Sequence, residues 1–269
     1  IAQGHPINPY FYDLPRAQIQ RRHPLLQRID GPPCSAVCLE EPPFIVPKPK
    51  VLPKQGAGIG ECLVLKSSSN CYRLEFMKSV YPRAQFAFIY LTRNPAAAIN
   101  GLMDGWLSNG FYSESVAGMS VLNIAGYSSV DKPWSRHWWN FDSPPGWLDY
   151  IHRPLENVCA FQWWSANKHV IDGIESGVIG RYMVIRYEDL LNPESMQKEL
   201  VKAFDFARLP RKALLDDFKA PAPVMAVNPP GARKWMKRAQ VILPALQGTH
   251  IASLARSLDY DINAADGFV

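Results

Sequence analysis

Three places in this 269-residue chain bring together side chains able to do chemistry. The first is Thr92-Arg93-Asn94-Pro95, directly after the apolar run Phe86 to Leu91. Asn94 suits the N-cap of a helix, and Pro95 its first position, where no backbone N–H is needed. The free N–H groups of such a start attract anions, and Arg93 adds a fixed, forked cation. An ordinary capped helix with a solvated arginine fits the same residues. The second place is Glu40-Glu41, in an apolar, proline-rich segment. Glu41 reads either as a general base toward an acceptor hydroxyl or as one of two solvated loop residues. The third is His137, flanked by Arg136 among aromatic residues, a candidate acid/base or substrate contact and equally a packing residue.

The elements that must position Arg93 lie between Leu63 and Trp106. Leu63 to Leu65 is a short apolar run, expected as a strand ending at Lys66. Ser67 to Asn70 supply N-cap chemistry for a helix over Cys71 to Val80, which Tyr81-Pro82 stops. Phe86 to Leu91 is aromatic and β-branched, too continuous for a half-exposed strand, so both faces are expected to be covered. A helix carrying Ala97, Ala98, Leu102 and Trp106 follows Pro95. In a parallel sheet the Arg93 turn would lie beyond the carboxyl end of a strand, where ligands bind.

Further on, residues 107 to 154 form a long aromatic-rich insertion with Trp134, Trp138, Trp139, Phe141 and Trp147, expected as a lid over an acceptor pocket. Pro154 to Ile174 reads as a helix, and its Trp163 and Trp164 read as core. Val178 to Ile185 reads as a strand, followed by Arg186-Tyr187-Glu188-Asp189-Leu190 and a second Asn-Pro start at Asn192-Pro193. Glu188 and Asp189 can organise that turn by accepting backbone hydrogen bonds. Helices are expected from Pro193 to about Phe204, over Leu209 to Phe218, and from Ala239 to Ser257. Residues 1 to 60 are proline-rich with one possible helix at Arg16 to Ile29. Gly56 to Gly60 reads as a turn, because it precedes a strand rather than opening a helix. The order implies an α/β fold, a mostly parallel sheet flanked by helices.

The stretch Lys66, Pro82, Ala84, Phe86, Arg93, Asn94, Pro95 resembles the sulfotransferase family, which uses 3′-phosphoadenosine 5′-phosphosulfate as donor. Further likenesses are the Tyr-Glu-Asp-Leu run at Tyr187, the Pro-Trp…Trp-Trp-Asn-Phe…Pro-Pro-Gly-Trp pattern of residues 133 to 147, and the closing Leu258-Asp259-Tyr260, where the family carries Gly before Tyr. The resemblance implies a nucleotide-kinase-like (P-loop NTPase-like) architecture and transfer of a sulfuryl group to a hydroxyl of a small molecule or carrier-bound acyl chain. It implies that Arg93 binds the donor's 3′-phosphate. The family's serine eight residues later is Gly101 here, with Asn100 beside it. It further implies that Tyr187 lies near adenine, that Arg233 and Lys234 close over phosphates, and that Lys66 sits near the sulfate. The family's opening strand and Gly/Ser/Thr-rich 5′-phosphosulfate loop find no match in this chain. A non-catalytic binding or scaffold domain is therefore the alternative.

Composition bounds these readings. The chain is 47% hydrophobic and 20% charged, as a globular protein of one large domain, 1–269, would be. A net charge of +5 suits an anionic ligand, but no basic stripe with interleaved aromatics argues for nucleic acid. Five cysteines without a C-x-x-C pair read as free thiols of a reducing, cytoplasmic compartment, with no metal site expected. No apolar run reaches the roughly 18 residues of a membrane span. The chain begins at Ile1 rather than Met, so an upstream segment is expected to have been removed, left out or excised from a larger polypeptide; the donor loop is expected there, or else to have been lost.

Overall fold

The computed structural model describes residues 38–41, 44–47, 64–107, 113–116, 118–209 and 233–262. In chain order the elements are β1 (Cys38–Glu41), β2 (Phe44–Pro47), α1 (Leu74–Val80), β3 (Phe88–Thr92), α2 (Pro95–Trp106), β4 (Ser113–Ser115) and β5 (Trp138–Asn140). Then come α3 (Leu155–Glu175), β6 (Tyr182–Arg186), α4 (Pro193–Ala207), α5 (Ala239–Leu246) and α6 (Thr249–Ser257). The class is mixed α/β. Among the described residues β3 and β6 pair in parallel, while β1–β2 and β4–β5 are antiparallel. The mostly parallel sheet expected from the sequence is thus present as one parallel pair. The expected helices at 16–29 and 209–218, and the turn at 56–60, lie outside the described residues, apart from Leu209, which is irregular.

The chain divides into two compact units. One includes residues 102–155 and with them the insertion, residues 107–154. Its core is aromatic: the fully buried Trp106 meets Tyr127 edge-on at 4.8 Å and Trp139 at 5.1 Å. Trp139 in turn meets Trp147 at 4.9 Å. Two of these large rings satisfy their polar atoms locally. Trp139 Nε1 donates to the Asp142 carbonyl at 2.9 Å, and the Tyr127 hydroxyl to the Trp138 carbonyl at 2.8 Å. The run of aromatics therefore builds a packed interior rather than a bare loop.

The other unit carries the parallel pair, with α1, α3, α4, α5 and α6 and the first half of α2. One face of β3 is well covered: Tyr90 packs with Cys71, Val170 and Ile179 in a common cluster. The other face differs from expectation. Ile89 is 42% and Leu91 52% exposed, so β3 alternates between exposed and buried positions despite its continuous apolar sequence. An apolar run states what a strand tolerates, and coverage depends on what the rest of the chain lays over it. The strand expected at Leu63 to Leu65 is also corrected. Leu63 lies outside the described residues, while Val64 and Leu65 are irregular and exposed, with no neighbouring strand to pair with among the described residues. The helix expected over Cys71 to Val80 is split by Arg73 into a 3-10 turn, Ser68–Tyr72, and α1. The last expected helix is likewise broken into α5 and α6 at Gly248.

Candidate functional site

The parallel register puts the chemistry of two turns side by side. β3 and β6 end together, with Thr92 opposite Arg186. One position beyond, Arg93 and Tyr187 leave the sheet as neighbours, and the Arg93 guanidinium lies 4.7 Å over the Tyr187 ring. Two positions beyond, the Asn94 backbone N–H donates to Glu188 Oε1 at 2.8 Å. The spacing of the two Arg/Tyr-bearing turns in the sequence thus becomes a through-space pairing because both strands run the same way.

Asn94 and Pro95 start α2 as the sequence predicts. Asn94 Oδ1 accepts from the Ala97 N–H at 3.1 Å, and its carbonyl accepts from the Ala98 N–H at 2.9 Å. Pro95 has no N–H to offer. The start of α2 is therefore closed largely by the chain's own acceptors, and positive character at this point rests on Arg93. That side chain is exposed, and no carboxylate among the described residues pairs with it. Asn94 is only 2% exposed, yet its Nδ2 has no acceptor. A buried amide donor without a partner is uncommon, and here it lies one residue from an unneutralised guanidinium.

The backbone of the turn is fixed from behind by α3. Trp163 Nε1 donates to the Arg93 carbonyl at 3.3 Å. Asn167 Nδ2 donates to the Trp163 carbonyl at 2.7 Å, and the buried Tyr90 hydroxyl donates to Asn167 Oδ1 at 2.5 Å. Burial pushes the Tyr90 phenol far above its ordinary range. Trp163 is therefore core, as expected, but a core residue with one polar task.

Asn100 and Gly101 lie on α2, and Gly101 faces Arg93. A Cβ placed on Gly101 would sit 3.7 Å from Arg93 Nη1, so a side chain there would reach the guanidinium without a clash. Asn100, 5% exposed, accepts at Oδ1 from Arg238 Nη1 at 2.8 Å. Arg238 closes the 3-10 turn Lys234–Arg238. The residue this late basic segment brings to α2 is therefore Arg238, which the sequence reading passed over. Arg233, with φ 54, is the exposed left-handed residue that opens the turn, and Lys234 follows it, half-buried. A basic residue four positions further along was detectable in the sequence, but which member of the run points at α2 is set by that turn.

The other candidates lie on other segments of the chain. Lys66 is exposed in an irregular segment ahead of the Ser67 cap. His137 belongs to the aromatic unit, where its carbonyl accepts from Val116 N–H at 2.8 Å and its Nδ1 is buried without a hydrogen bond. Glu41 ends β1, in the same unit by chain assignment. Among the described residues, no group of three His, Cys, Asp or Glu could hold a metal ion. Nor is any helix long and apolar enough to cross a membrane.

A cavity of about 280 Å³ lies at the opposite ends of the strands, lined by Leu74, Met77, Phe86, Phe88, Ile179 and Arg181. The length of β3, roughly 13 Å at about 3.3 Å per residue, separates it from Arg93. It is an apolar trough between α1 and the strand starts, and it is not part of the Arg93 site. No family model, curated protein or solved structure matches the chain.

Proposed function

We propose that this chain is a sulfotransferase of nucleotide-kinase-like architecture. In this reading it binds 3′-phosphoadenosine 5′-phosphosulfate beyond the carboxyl ends of β3 and β6. It moves the sulfuryl group to a hydroxyl of a small molecule or carrier-bound acyl chain. The acceptor oxygen forms the new S–O bond, the bond to the donor's phosphate oxygen breaks, adenosine 3′,5′-bisphosphate leaves, and the acceptor proton passes to a base. Glu41 and His137 are the proposed bases, with Lys66 near the sulfate.

The observation that carries this reading is Arg93: a guanidinium oriented over Tyr187, without a carboxylate partner among the described residues, at the point where two parallel strands end. Such a cation is suited to an anion brought from solution. The unpartnered Asn94 Nδ2 beside it supports the same ligand chemistry. Arg238, held by Asn100, is the second cation proposed for the 3′-phosphate, with Arg233 and Lys234 further out on the same segment. One face of Tyr187 is taken by Arg93, so adenine would pack on the part of the ring that remains.

A non-catalytic sulfotransferase-like binding domain is the second reading. It is favoured by Gly101, which offers no hydroxyl at the family's serine position. Calorimetry with adenosine 3′,5′-bisphosphate and with adenosine 5′-monophosphate tests both. Micromolar binding that weakens at least tenfold without the 3′-phosphate, together with sulfated product from the full donor and an alcohol panel, fits the enzyme. Binding without product fits the module. No binding of either nucleotide removes the nucleotide site.

A further inference from the structure

We infer that Glu188 is a positioning residue for the Arg93 turn, clamping it to Tyr260 near the far end of the chain; the ligand consequence rests on the nucleotide reading above. The sequence treats Tyr187-Glu188-Asp189 as one acidic turn, but the two carboxylates are placed differently. Asp189 is exposed. Glu188 is half-buried, and each of its oxygens takes a hydrogen bond from a buried group. Oε1 accepts from the Asn94 backbone N–H at 2.8 Å, and Oε2 accepts from the Tyr260 hydroxyl at 3.1 Å. Asn94 and Tyr260 are 2% and 1% exposed. Thr92 Oγ1 lies 3.2 Å from the same phenol. Tyr260 has one proton to give, and a carboxylate is the stronger acceptor, so the phenol donates to Glu188.

The geometry gives this pair leverage over Arg93. Thr92 and Asn94 flank it, and both are tied to the Glu188–Tyr260 pair. Its carbonyl is held separately by Trp163. Three elements distant in sequence thus fix one exposed side chain, while none of the bonds uses its guanidinium. Tyr260 is itself pinned at the end of α6. Its N–H donates to the Ala255 carbonyl at 2.9 Å, and Arg186 stacks on its ring at 4.6 Å. Loss of the carboxylate would leave the buried Asn94 N–H at the N-cap of α2 unsatisfied and the phenol with Thr92 Oγ1 alone to donate to. The turn would then sample other orientations, and the guanidinium would be presented less often in the binding geometry.

The test uses the 269-residue chain and three variants: Glu188→Ala, Glu188→Gln and Tyr260→Phe. Gln retains an acceptor for the Asn94 N–H and a polar group for the phenol. Titration with adenosine 3′,5′-bisphosphate is expected to show at least a tenfold loss of affinity in Glu188→Ala. Glu188→Gln should stay within about threefold of the parent, and Tyr260→Phe should fall between. Equal affinity of Glu188→Ala and the parent overturns the inference. So does a tenfold gain in Glu188→Gln, which would mark the carboxylate as a repelling charge. Amide hydrogen exchange at Asn94, measured without nucleotide, separates the clamp from the ligand. Exchange at least tenfold faster in a folded Glu188→Ala or Tyr260→Phe protein supports the clamp even where the parent binds no bisphosphate, an outcome that would remove only the nucleotide reading. Unchanged exchange in both variants overturns the clamp.

Discussion

A guanidinium lying over an aromatic ring is oriented without being neutralised, and that combination makes Arg93 a good receptor for an anion. Its backbone is already fixed, so binding need not order the turn, and most of the interaction would appear as affinity. Arg93→Ala is therefore expected to weaken adenosine 3′,5′-bisphosphate by about 1.5–3 kcal/mol, the range for hydrogen bonds to charged groups. Calorimetry should find roughly ten- to a hundredfold weaker binding with an unchanged melting temperature. An unchanged dissociation constant would take Arg93 out of the site. Gly101 gives the complementary test. The space above it is open, and its Cβ position is 3.7 Å from Arg93 Nη1. Gly101→Ser places a hydroxyl there and also replaces a poor helix former. Affinity for the bisphosphate should rise several-fold, about 0.5–1.5 kcal/mol for one added hydrogen bond. A fall in affinity would mean that the ligand, or Arg93, needs the empty volume.

Helix ends decide much of the local geometry here, and they were the most readable part of the sequence. Asn94-Pro95 and Asn192-Pro193 both start helices, each asparagine accepting from an N–H two or three residues on. Their chemistry is contained in a few consecutive residues, so spacing alone reveals it. The break at Gly248 was just as local, yet the sequence reading ran one helix through it from Ala239 to Ser257. What could not be read were partners far apart in the chain: Tyr260 to Glu188, Trp163 to Arg93, Arg238 to Asn100. No local period encodes such pairs, and they are what makes the site a site. The exposure of Ile89 and Leu91 was missed for a related reason, since coverage of a strand is a property of other elements. The end of α6 yields a prediction at this scale. Asp259 has φ 59, while the Asp259 and Tyr260 N–H groups return to the Arg256 and Ala255 carbonyls at 3.0 and 2.9 Å. This is a left-handed helix stop in which glycine avoids a steric penalty of about 1–2 kcal/mol. Part of that relief is offset by the greater freedom of unfolded glycine, about 0.5–1 kcal/mol. Asp259→Gly should therefore raise stability by roughly 0.5 kcal/mol, read as a higher urea midpoint at constant slope. A lower midpoint would mean that the Asp259 side chain contributes more than its backbone strain costs.

Both compact units bury phenols, and this ties the stability of the whole chain to alkaline pH. Tyr127 lies in the aromatic unit, Tyr90 and Tyr260 in the other. Burial is the main cause in each case: it raises Tyr90 and Tyr127 far above the ordinary tyrosine range and pushes Tyr260 up to about 12. At Tyr260 the Glu188 charge adds to the rise, while the Thr92 hydrogen bond and Arg186 oppose it. An unfolded tyrosine ionises near pH 10. The folded values are higher, so folding favours the neutral phenol. The resulting stabilisation is complete below about pH 10 and is lost as pH rises through the folded values. For Tyr260 that window runs from about 10 to about 12. Exposed tyrosines should therefore give tyrosinate absorbance first, with the circular dichroism of the helices intact. A second absorbance step should then coincide with loss of the helical signal, because Tyr90, Tyr127 and Tyr260 ionise chiefly on unfolding. Tyr260→Phe removes one of these linked groups, so its stability should fall less steeply across that window than the parent's. A single absorbance step near pH 10 with the helical signal unchanged would mean that these three phenols are open to solvent, and the packing assigned to both cores would not hold.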